Sequence, residues 1–293
     1  MPLISMKEML NDARKRGFAA CYCESWNLES LQGTVEAAEA EKSPIIVGFN
    51  GGFLLRCGQK TLEQLGYYAS LRAALARATV PVTFLLNESD SLEQIEQAID
   101  LGFDAVMPEN EDLPKVEYLR MVMQVVEKAH AKGLSVEAQV GHLADAAGGT
   151  AAETTDPEAA RAFVELTGVD ALGVSVGNVH ILTEGKKELD LEVLAKIREA
   201  VEIPLVLHGG TGIPLELAPK CVELGVAKVN FGTGLKQAYL AATRENLAKY
   251  REPMSPHPFL GMGGENDILI AGREAVKAEV AKLLRAYGSA GKA

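Results

Sequence analysis

Short apolar stretches alternate with longer amphipathic stretches along the chain, and this alternation constrains the fold more than any other feature of the sequence. The apolar runs, rich in β-branched residues, are 18–23, 44–49, 81–86, 104–107, 135–140, 171–176, 204–207 and 227–231. The stretches with helical period are 28–41, 61–77, 91–101, 116–132, 157–167, 190–201, 215–224 and 235–250. Strict alternation predicts parallel strands joined by right-handed helical crossovers.

Capping residues mark the ends of several predicted helices. Asp156 stands before Pro157 and Asp190 before Leu191, both typical of a helix N-terminus. Glycines stand just before four of the predicted strands: Gly102, Gly133, Gly168 and Gly225. Glycine is favoured there because the residue after a helix often adopts a left-handed conformation. These signals place the strand–helix boundaries independently of the hydrophobic pattern.

Eight strand–helix units favour a closed (β/α)8 TIM barrel, in the α/β class, over a doubly wound open sheet. An open sheet of that kind usually carries a GxGxxG turn after its first strand, and none follows Cys23. A TIM barrel uses roughly 250 residues in one domain, and this chain has 293. We therefore expect residues 1–293 to form a single TIM-barrel domain, with an additional C-terminal helix at about 264–287.

The charge balance excludes several classes of partner. The chain has 29 Lys and Arg against 40 Asp and Glu, a formal net charge of −11. Binding to nucleic acid or to an anionic membrane requires clustered basic residues, which the sequence lacks. The four cysteines, Cys21, Cys23, Cys57 and Cys221, do not form a paired framework, so we expect reduced, buried thiols. We predict a cytoplasmic enzyme that binds neither nucleic acid nor membranes.

In a TIM barrel the C-terminal ends of the strands form the catalytic face. Polar residues stand at every predicted strand end: Glu24, Asn50, Asn87, Glu88, Glu109, Asn110, Gln139, His142, Asn178, His180, His208 and Asn230. His180 and His208 end adjacent strands, so their imidazoles can converge. With Glu88 they make a two-histidine, one-carboxylate set that suits a divalent metal. The alternative is that each histidine only hydrogen-bonds a loop.

Two glycine-rich turns follow the seventh and eighth strands. Residues 208–212 read HGGTG and residues 230–234 read NFGTG, and each turn leads into a helix. TIM barrels commonly bind phosphate at this position, where unpaired amides meet the positive end of a helix dipole. The predicted anion-binding residues are Gly209, Gly210, Thr211, Asn230, Phe231, Gly232 and Thr233. The alternative is that both segments are tight turns without a ligand.

The chain resembles the class II, metal-dependent ketose-bisphosphate aldolases, nearest to their tagatose-bisphosphate branch. The similar segments are PLISMKEML (2–10), SPII (43–46), SVEA (135–138) before Gly141, FVELTGVDALGVSVGNVH (163–180), PLVLHGGTGIP (204–214) and ELGVAKVNFGT (223–233). The resemblance implies that His180 and His208 bind the catalytic zinc. It also implies that 209–211 and 230–233 hold the phosphate end of dihydroxyacetone phosphate, and that the protein is a homodimer or homotetramer.

The differences from this family cluster at the chemistry. Where the family has His-Leu-Asp-His, this chain has Leu85-Leu86-Asn87-Glu88, so the usual acid is an asparagine and one zinc histidine is a glutamate. The acidic residue before the glycine after the fifth strand is Gln139. Other family residues are replaced by Glu24, Pro108-Glu109-Asn110 and Ile181. We infer a retained barrel and metal position with a different substrate, a different acid or lost aldolase activity.

Our leading hypothesis is a metal-dependent carbon–carbon lyase that acts on a ketose phosphate or a related polyol phosphate through a metal-stabilised enediolate. Glu88, His180 and His208 would hold zinc, with manganese or iron as alternatives. Asn87, Gln139 and Glu24 would orient hydroxyls, and Glu24 or Asp90 would replace the missing acid. Arg273 and Arg285 are candidates for binding a second phosphate. The alternatives are a metal-dependent sugar-phosphate isomerase or epimerase, and a non-catalytic paralogue that binds a sugar phosphate.

Overall fold

The computed structural model describes residues 2–56, 61–141 and 153–293. Parallel strands form a closed barrel in sequence order, in which the eighth strand pairs with the first. The strands are β1 Ala20–Glu24, β2 Ile45–Asn50, β3 Val82–Ser89, β4 Ala105–Pro108, β5 Ser135–Val140, β6 Ala171–Val174, β7 Leu205–Leu207 and β8 Val226–Phe231. The predicted TIM barrel is therefore confirmed.

Helices surround this barrel. They are α1 Met6–Arg16, α2 Leu28–Glu41, α3 Gly51–Arg56, α4 Thr61–Ser70, α5 Arg72–Leu75, α6 Leu92–Asp100, α7 Lys115–Ala131, α8 Pro157–Thr167, α9 Leu191–Ala200, α10 Ala218–Glu223, α11 Thr233–Leu247 and α12 Ile268–Ala286. Short 3-10 helices occupy Gly210–Gly212, Leu215–Leu217 and His257–Phe259. No helix in the described part of the chain is both long and apolar enough to cross a membrane.

Several predicted helices differ from the observed ones at their ends. Helices α2 and α8 have the predicted bounds, whereas the stretch 61–77 is divided into α4 and α5. The terminal helix begins at Ile268, because the carboxylate of Asp267 accepts hydrogen bonds from the amides of Leu269 and Ile270. Cys21, Cys23 and Cys221 are buried and unpaired, and Cys57 lies outside the described residues.

Helix α1, which precedes the first strand, was not predicted. Its buried residues Met6, Met9, Leu10 and Ala13 pack in one cluster with side chains from the barrel interior, including Tyr22 and Ile46. Successive side chains of a strand point to opposite faces. Every strand except β5 contributes an apolar residue to this cluster, and all eight strands contribute to the larger core under the surrounding helices. The apolar residues of α1 fill one end of the barrel, and the polar strand ends lie at the other.

Candidate active site

A cavity of about 440 Å³ opens at the C-terminal ends of the strands. It is lined by predicted site residues from several strands and loops: Glu24, Asn87, Glu88, Asp90, His180, Gly209, Thr211, Asn230, Phe231, Gly232 and Thr233. Among the others, His208 is fully buried beside Glu88, and Gly210 is buried outside the lining of this cavity. His142 lies outside the described residues.

Three side chains from different strands converge at the mouth of the barrel. One ligand atom each from Glu88, His180 and His208 lie within 4.8 Å of one another. The rings of His180 and His208 are stacked, with centroids 5.5 Å apart. A carboxylate and two imidazoles are a donor set that zinc, iron and manganese accept in proteins. The three predicted ligands are thus close enough to hold one ion.

The His208 imidazole lies between two carboxylates. Its Nδ1 is 3.0 Å from Oε1 of Glu88 and its Nε2 is 2.9 Å from Oε1 of Glu137. On its other side, Glu137 forms an ion pair of 2.8 Å with Lys228, and both side chains are fully buried. Lys228 also donates a hydrogen bond to Oδ1 of Asn230. This chain of charges fixes the orientation of the His208 ring.

Sequence reasoning missed the pairing of Glu137 with Lys228. Each is the one charged residue of its strand, Glu137 of β5 and Lys228 of β8, and both are completely buried. A charged residue inside a buried strand requires a partner of opposite charge. This requirement could have predicted the pair from the sequence, because β5 contains one carboxylate and β8 contains one lysine.

The charges around His208 shift the pKa values of Glu88 and of His208 itself. Burial by itself raises the pKa of Glu88, but the hydrogen bond with His208 and the neighbouring imidazoles outweigh it and hold that pKa well below its usual range. Burial lowers the pKa of His208, but the hydrogen bonds to Glu137 and Glu88 outweigh it and raise that pKa to about 9. In the absence of a metal, His208 is therefore protonated at neutral pH.

The backbone is unusual at the predicted ligands. Glu88 has a φ of 53° and Ile181, directly after His180, has a φ of 49°, both in the left-handed region. The β3–β4 register shifts between Leu86 and Ser89, so the chain is irregular where Glu88 projects. The side chain of Asn50 donates a hydrogen bond to Oε2 of Glu88. The strand end and its neighbour thus aim the Glu88 carboxylate at His208.

The two glycine-rich loops lie side by side. The hydroxyl of Thr211 accepts a hydrogen bond of 3.0 Å from the amide of Gly234, in the first turn of α11. That helix has Gly232 at its N-cap, without a side-chain cap. Lys186 donates a hydrogen bond of 2.6 Å to the carbonyl oxygen of Thr211. Backbone amides and the positive end of a helix dipole therefore face the cavity at β7 and β8.

The remaining predicted residues have different surroundings. Glu24 is buried in an ion pair of 2.6 Å with Lys236, and Asp90 is exposed at the rim. Gln139 does not line the main cavity; its Nε2 reaches toward the carbonyl oxygen of Gly141, so the side chain lines a neighbouring cavity that α7 and α8 also border. Its role in binding substrate stays a prediction, since it lines this second cavity and not the main one.

Arg273 and Arg285, the two candidates for binding a second phosphate, have acidic partners elsewhere in the chain. Both lie on α12 and form ion pairs with α2: Arg273 with Glu36, and Arg285 with Glu41. Neither arginine lines the cavity. Carboxylates of α2 hold both guanidinium groups, so they do not supply a second phosphate site at the mouth.

One further carboxyl group at the mouth has an unusual environment. Glu109 follows β4, and its Oε1 is buried without a hydrogen-bond partner in the described structure. Burial and the negative charge of Glu88 raise the pKa of Glu109 to about 8. Asn87 is 2 % exposed, and its Oδ1 likewise has no partner there. The cavity thus holds one neutral carboxyl and one free amide oxygen close to the predicted metal site.

Comparisons with known proteins give matches over nearly the whole chain. Residues 4–292 match the family model described as fructose-bisphosphate aldolase class-II. The fructose-bisphosphate aldolase of Geobacillus stearothermophilus is 38% identical, over 100% of this chain and 99% of that protein. The probable fructose-bisphosphate aldolase of Bacillus subtilis is 36% identical over the full length of both chains. The crystal structure of the YdjI aldolase from Escherichia coli K12 superposes with a TM-score of 0.82 at 32% identity, over 99% of each chain.

Proposed function

This chain belongs to the class II fructose-bisphosphate aldolase family of metal-dependent aldolases, and we propose that it makes and breaks the carbon–carbon bond of a ketose phosphate or related polyol phosphate. The family that the sequence motifs indicated is confirmed over nearly the whole chain. The observation that carries the proposal is the convergence of Glu88, His180 and His208 within 4.8 Å. The substrate, the metal and the roles of individual residues are the subject of the proposal.

Glu88, His180 and His208 are the proposed metal ligands. The donor set fits a divalent cation, with zinc the first choice and manganese or iron as alternatives. The fully buried Glu137 accepts from Nε2 of His208 and so supports the tautomer in which Nδ1 faces Glu88. When bound, the cation supplies positive charge that stabilises an enediolate of the substrate.

The loops after β7 and β8 are the proposed binding site for a phosphate. Gly209, Thr211, Gly232 and Thr233 line the cavity beside the uncapped start of α11. Lys236 is the one lysine or arginine among the described lining residues, and it is paired with Glu24. Among the described lining residues a second phosphate would find no free cationic partner, so we propose a ligand with a single phosphate.

Asn87 and Asn230 are the proposed partners of substrate hydroxyls. Both line the cavity, and the free Oδ1 of Asn87 accepts a hydrogen bond that the protein itself does not supply. A buried acceptor without a partner costs about 1–3 kcal/mol, which a hydroxyl of the ligand would recover. Assembly as a homodimer or homotetramer stays a prediction.

A metal-dependent isomerase or epimerase is the second candidate. It is favoured by one observation: Asn87 stands where the family has an aspartic acid, and an amide does not carry a proton for a departing aldehyde. Such an enzyme would use the same metal and the same phosphate loops. Release of an aldehyde separates the two reactions, since an isomerase returns only a rearranged sugar phosphate.

The experiment combines metal analysis with a substrate screen. The purified protein, supplied with Zn²⁺, Mn²⁺ or Fe²⁺, is assayed for bound metal and for aldehyde release from a panel of ketose monophosphates and bisphosphates. We expect one metal per chain and cleavage of a monophosphate. Glu88→Ala should lose both the bound metal and the cleavage activity. Glu93→Ala is the matched control, because Glu93 is an exposed residue of α6. A protein that binds no divalent metal would refute both enzymatic functions and leave the non-catalytic paralogue.

A further inference from the structure

Aldol cleavage needs a group that takes a proton from a substrate hydroxyl, and position 87 supplies none. The candidates are the carboxyl groups that line the described cavity: Glu24, Glu88, Asp90, Glu109, Glu111 and Asp112. A proton carrier for this step must lie near the reacting atoms and must not be held permanently by another side chain. These two requirements distinguish among the six.

Most of these carboxyl groups fail one requirement. Glu88 is a proposed metal ligand and contacts His208. Glu24 is held by Lys236 in an ion pair of 2.6 Å, and its Oε2 is packed against Gly232. The other three are exposed to solvent at the rim: Asp90, Glu111 and Asp112.

Glu109 meets both requirements. It directly follows β4, and its amide donates a hydrogen bond of 2.9 Å to the carbonyl oxygen of Ser89, so its backbone is fixed next to the end of β3. Its Oε1 is buried and has no hydrogen-bond partner among the described residues. A buried carboxyl oxygen left unpaired is costly unless the group is neutral or a ligand completes it. The geometry therefore leaves a place for a hydroxyl at Glu109.

The surroundings of Glu109 favour its neutral form. The titratable groups that act on Glu109 belong to several elements around it: Glu88 on β3, Glu111 on its own loop, Tyr118 on α7, Glu137 on β5 and His208 directly after β7. Burial is the largest cause and Glu88 the second, and together they raise the pKa of Glu109 to about 8. Burial, the larger cause, acts on Glu109 whether or not a cation is bound at Glu88, and a raised pKa suits a group that must both take and return a proton.

We propose that Glu109 is the catalytic acid–base residue that carries the proton of the aldehyde oxygen, an inference that rests on the lyase function proposed above. In cleavage, the Glu109 carboxylate takes the proton of the C4 hydroxyl, the C4–O bond becomes a carbonyl, and the C3–C4 bond breaks. The electron pair of that bond stays with the three-carbon phosphate half as its enediolate. That half then takes one proton at C3 while Glu109 releases one to solvent, so protons balance.

The synthetic direction reverses these roles. Neutral Glu109 donates its proton to the carbonyl oxygen of the incoming aldehyde as the new C3–C4 bond forms. Cleavage consequently needs the carboxylate and synthesis needs the acid. The rates of the two reactions therefore depend on pH in opposite ways. As pH rises through the pKa of Glu109, the rate of cleavage should increase and the rate of synthesis should decrease.

The experiment uses the metal-loaded enzyme and the variants Glu109→Gln and Glu109→Asp. Cleavage and synthesis are followed with a panel of ketose phosphates and with dihydroxyacetone phosphate plus short aldehydes. Exchange of the C3 hydrogen of dihydroxyacetone phosphate in D₂O is followed by NMR. We expect Glu109→Gln to lose about 10²–10⁴-fold in both aldol directions and to lose the pH limb, while metal content and C3 exchange stay as in the wild type. Glu109→Asp keeps a carboxyl and should recover part of the activity with its limb.

Asp112→Asn is the matched control, because it removes an exposed carboxylate from the same rim. A Glu109→Gln enzyme that cleaves as fast as the wild type, or keeps its pH limb, would overturn the proposal while leaving the lyase function intact. Loss of C3 exchange and metal together with cleavage would also overturn it, since Glu109 would then act through structure. A wild type that exchanges C3 but cleaves and condenses nothing would instead refute the lyase function, and with it this role.

Discussion

Nδ1 of His208 lies 3.0 Å from Oε1 of Glu88, a distance at which a protonated imidazole donates a hydrogen bond to the carboxylate. The pKa of His208, raised to about 9, keeps the proton in place at neutral pH. A cation bound by both side chains must displace it, so we expect close to one proton released per metal at about pH 7.5 and an affinity that rises about tenfold per pH unit below the pKa. Calorimetry in two buffers of different ionisation enthalpy measures the proton count. Metal binding without proton release would contradict the assignment of Nδ1 as a ligand atom.

The same proton affects the stability of the metal-free protein. Because the folded pKa of His208 lies above the value of about 6.5 in an unfolded chain, the folded state binds the extra proton more tightly. The contribution of His208 to stability is therefore complete below about pH 6.5 and is lost as pH rises through about 9. Urea unfolding of the metal-free protein across this window should show the decline. Saturation with zinc should remove this contribution to the decline, since His208 then carries no proton.

Replacement of Glu137 by glutamine should have two separable effects. It leaves Lys228 charged and fully buried without its carboxylate, which we expect to cost about 3–5 kcal/mol of unfolding free energy. It also weakens the support of the His208 ring, for which about a 10–100-fold loss of metal affinity is typical. The double variant Glu137→Gln with Lys228→Met removes the unpaired charge and should recover stability but not affinity. Recovery of both would mean that Glu137 serves the fold alone.

Gly209 should not tolerate a side chain. Its φ is 67°, and an added Cβ would collide with the backbone carbonyl oxygen of Val179. A left-handed conformation costs other residues roughly 1–2 kcal/mol and forced overpacking about 1–3 kcal/mol, so Gly209→Ala should be clearly destabilised in chemical denaturation. Gly234→Ala is the control, because its Cβ would lie 3.2 Å from Thr211 Oγ1 in ordinary helical backbone. Equal stability of the two variants would contradict the observed loop.

The cap of the terminal helix gives a test away from the site. Asp267 accepts from the amides of Leu269 and Gly263, each at 2.9 Å. Asp267→Ala should lower the unfolding free energy by about 1 kcal/mol, and Asp267→Asn should lose less. Burial raises the pKa of Asp267, but the backbone hydrogen bonds outweigh it and lower the pKa. Its contribution is thus present above the pKa of the unfolded carboxyl and is lost as pH falls through the folded value, a dependence that the asparagine variant should lack.

The fold and much of the site follow from local patterns. Alternation of strands and helices predicts a barrel, and the rule that active sites lie at C-terminal strand ends brings Asn87, Glu88, His180 and Asn230 to one cavity. The pairing of Glu137 with Lys228 was missed because it depends on which inward positions face each other across the barrel, which a strand pattern leaves open. The strand pattern also left open that the side chain of Gln139 reaches toward Gly141 and lines a second cavity.

The proposed role of Glu109 could likewise not be inferred from the sequence alone. From the sequence it is one of several acidic residues after strands, and Glu24 and Asp90 are equally good candidates for the missing acid. Only the structure shows that Glu24 is held by Lys236 and that Asp90 is exposed, whereas an oxygen of Glu109 is buried and unpaired. Partner identity and solvent exposure decide protonation, and neither is a local property of the chain.

The left-handed backbone at Glu88 and Ile181 has a consequence for laboratory evolution. Residues other than glycine, asparagine and aspartate pay for that conformation, by about 1–3 kcal/mol in strained cases. A library selected only for heat resistance should therefore accumulate glycine or asparagine at these two positions. At position 88 that choice deletes a proposed metal ligand, so thermal selection and selection for turnover should drive this chain toward different sequences at the same codons.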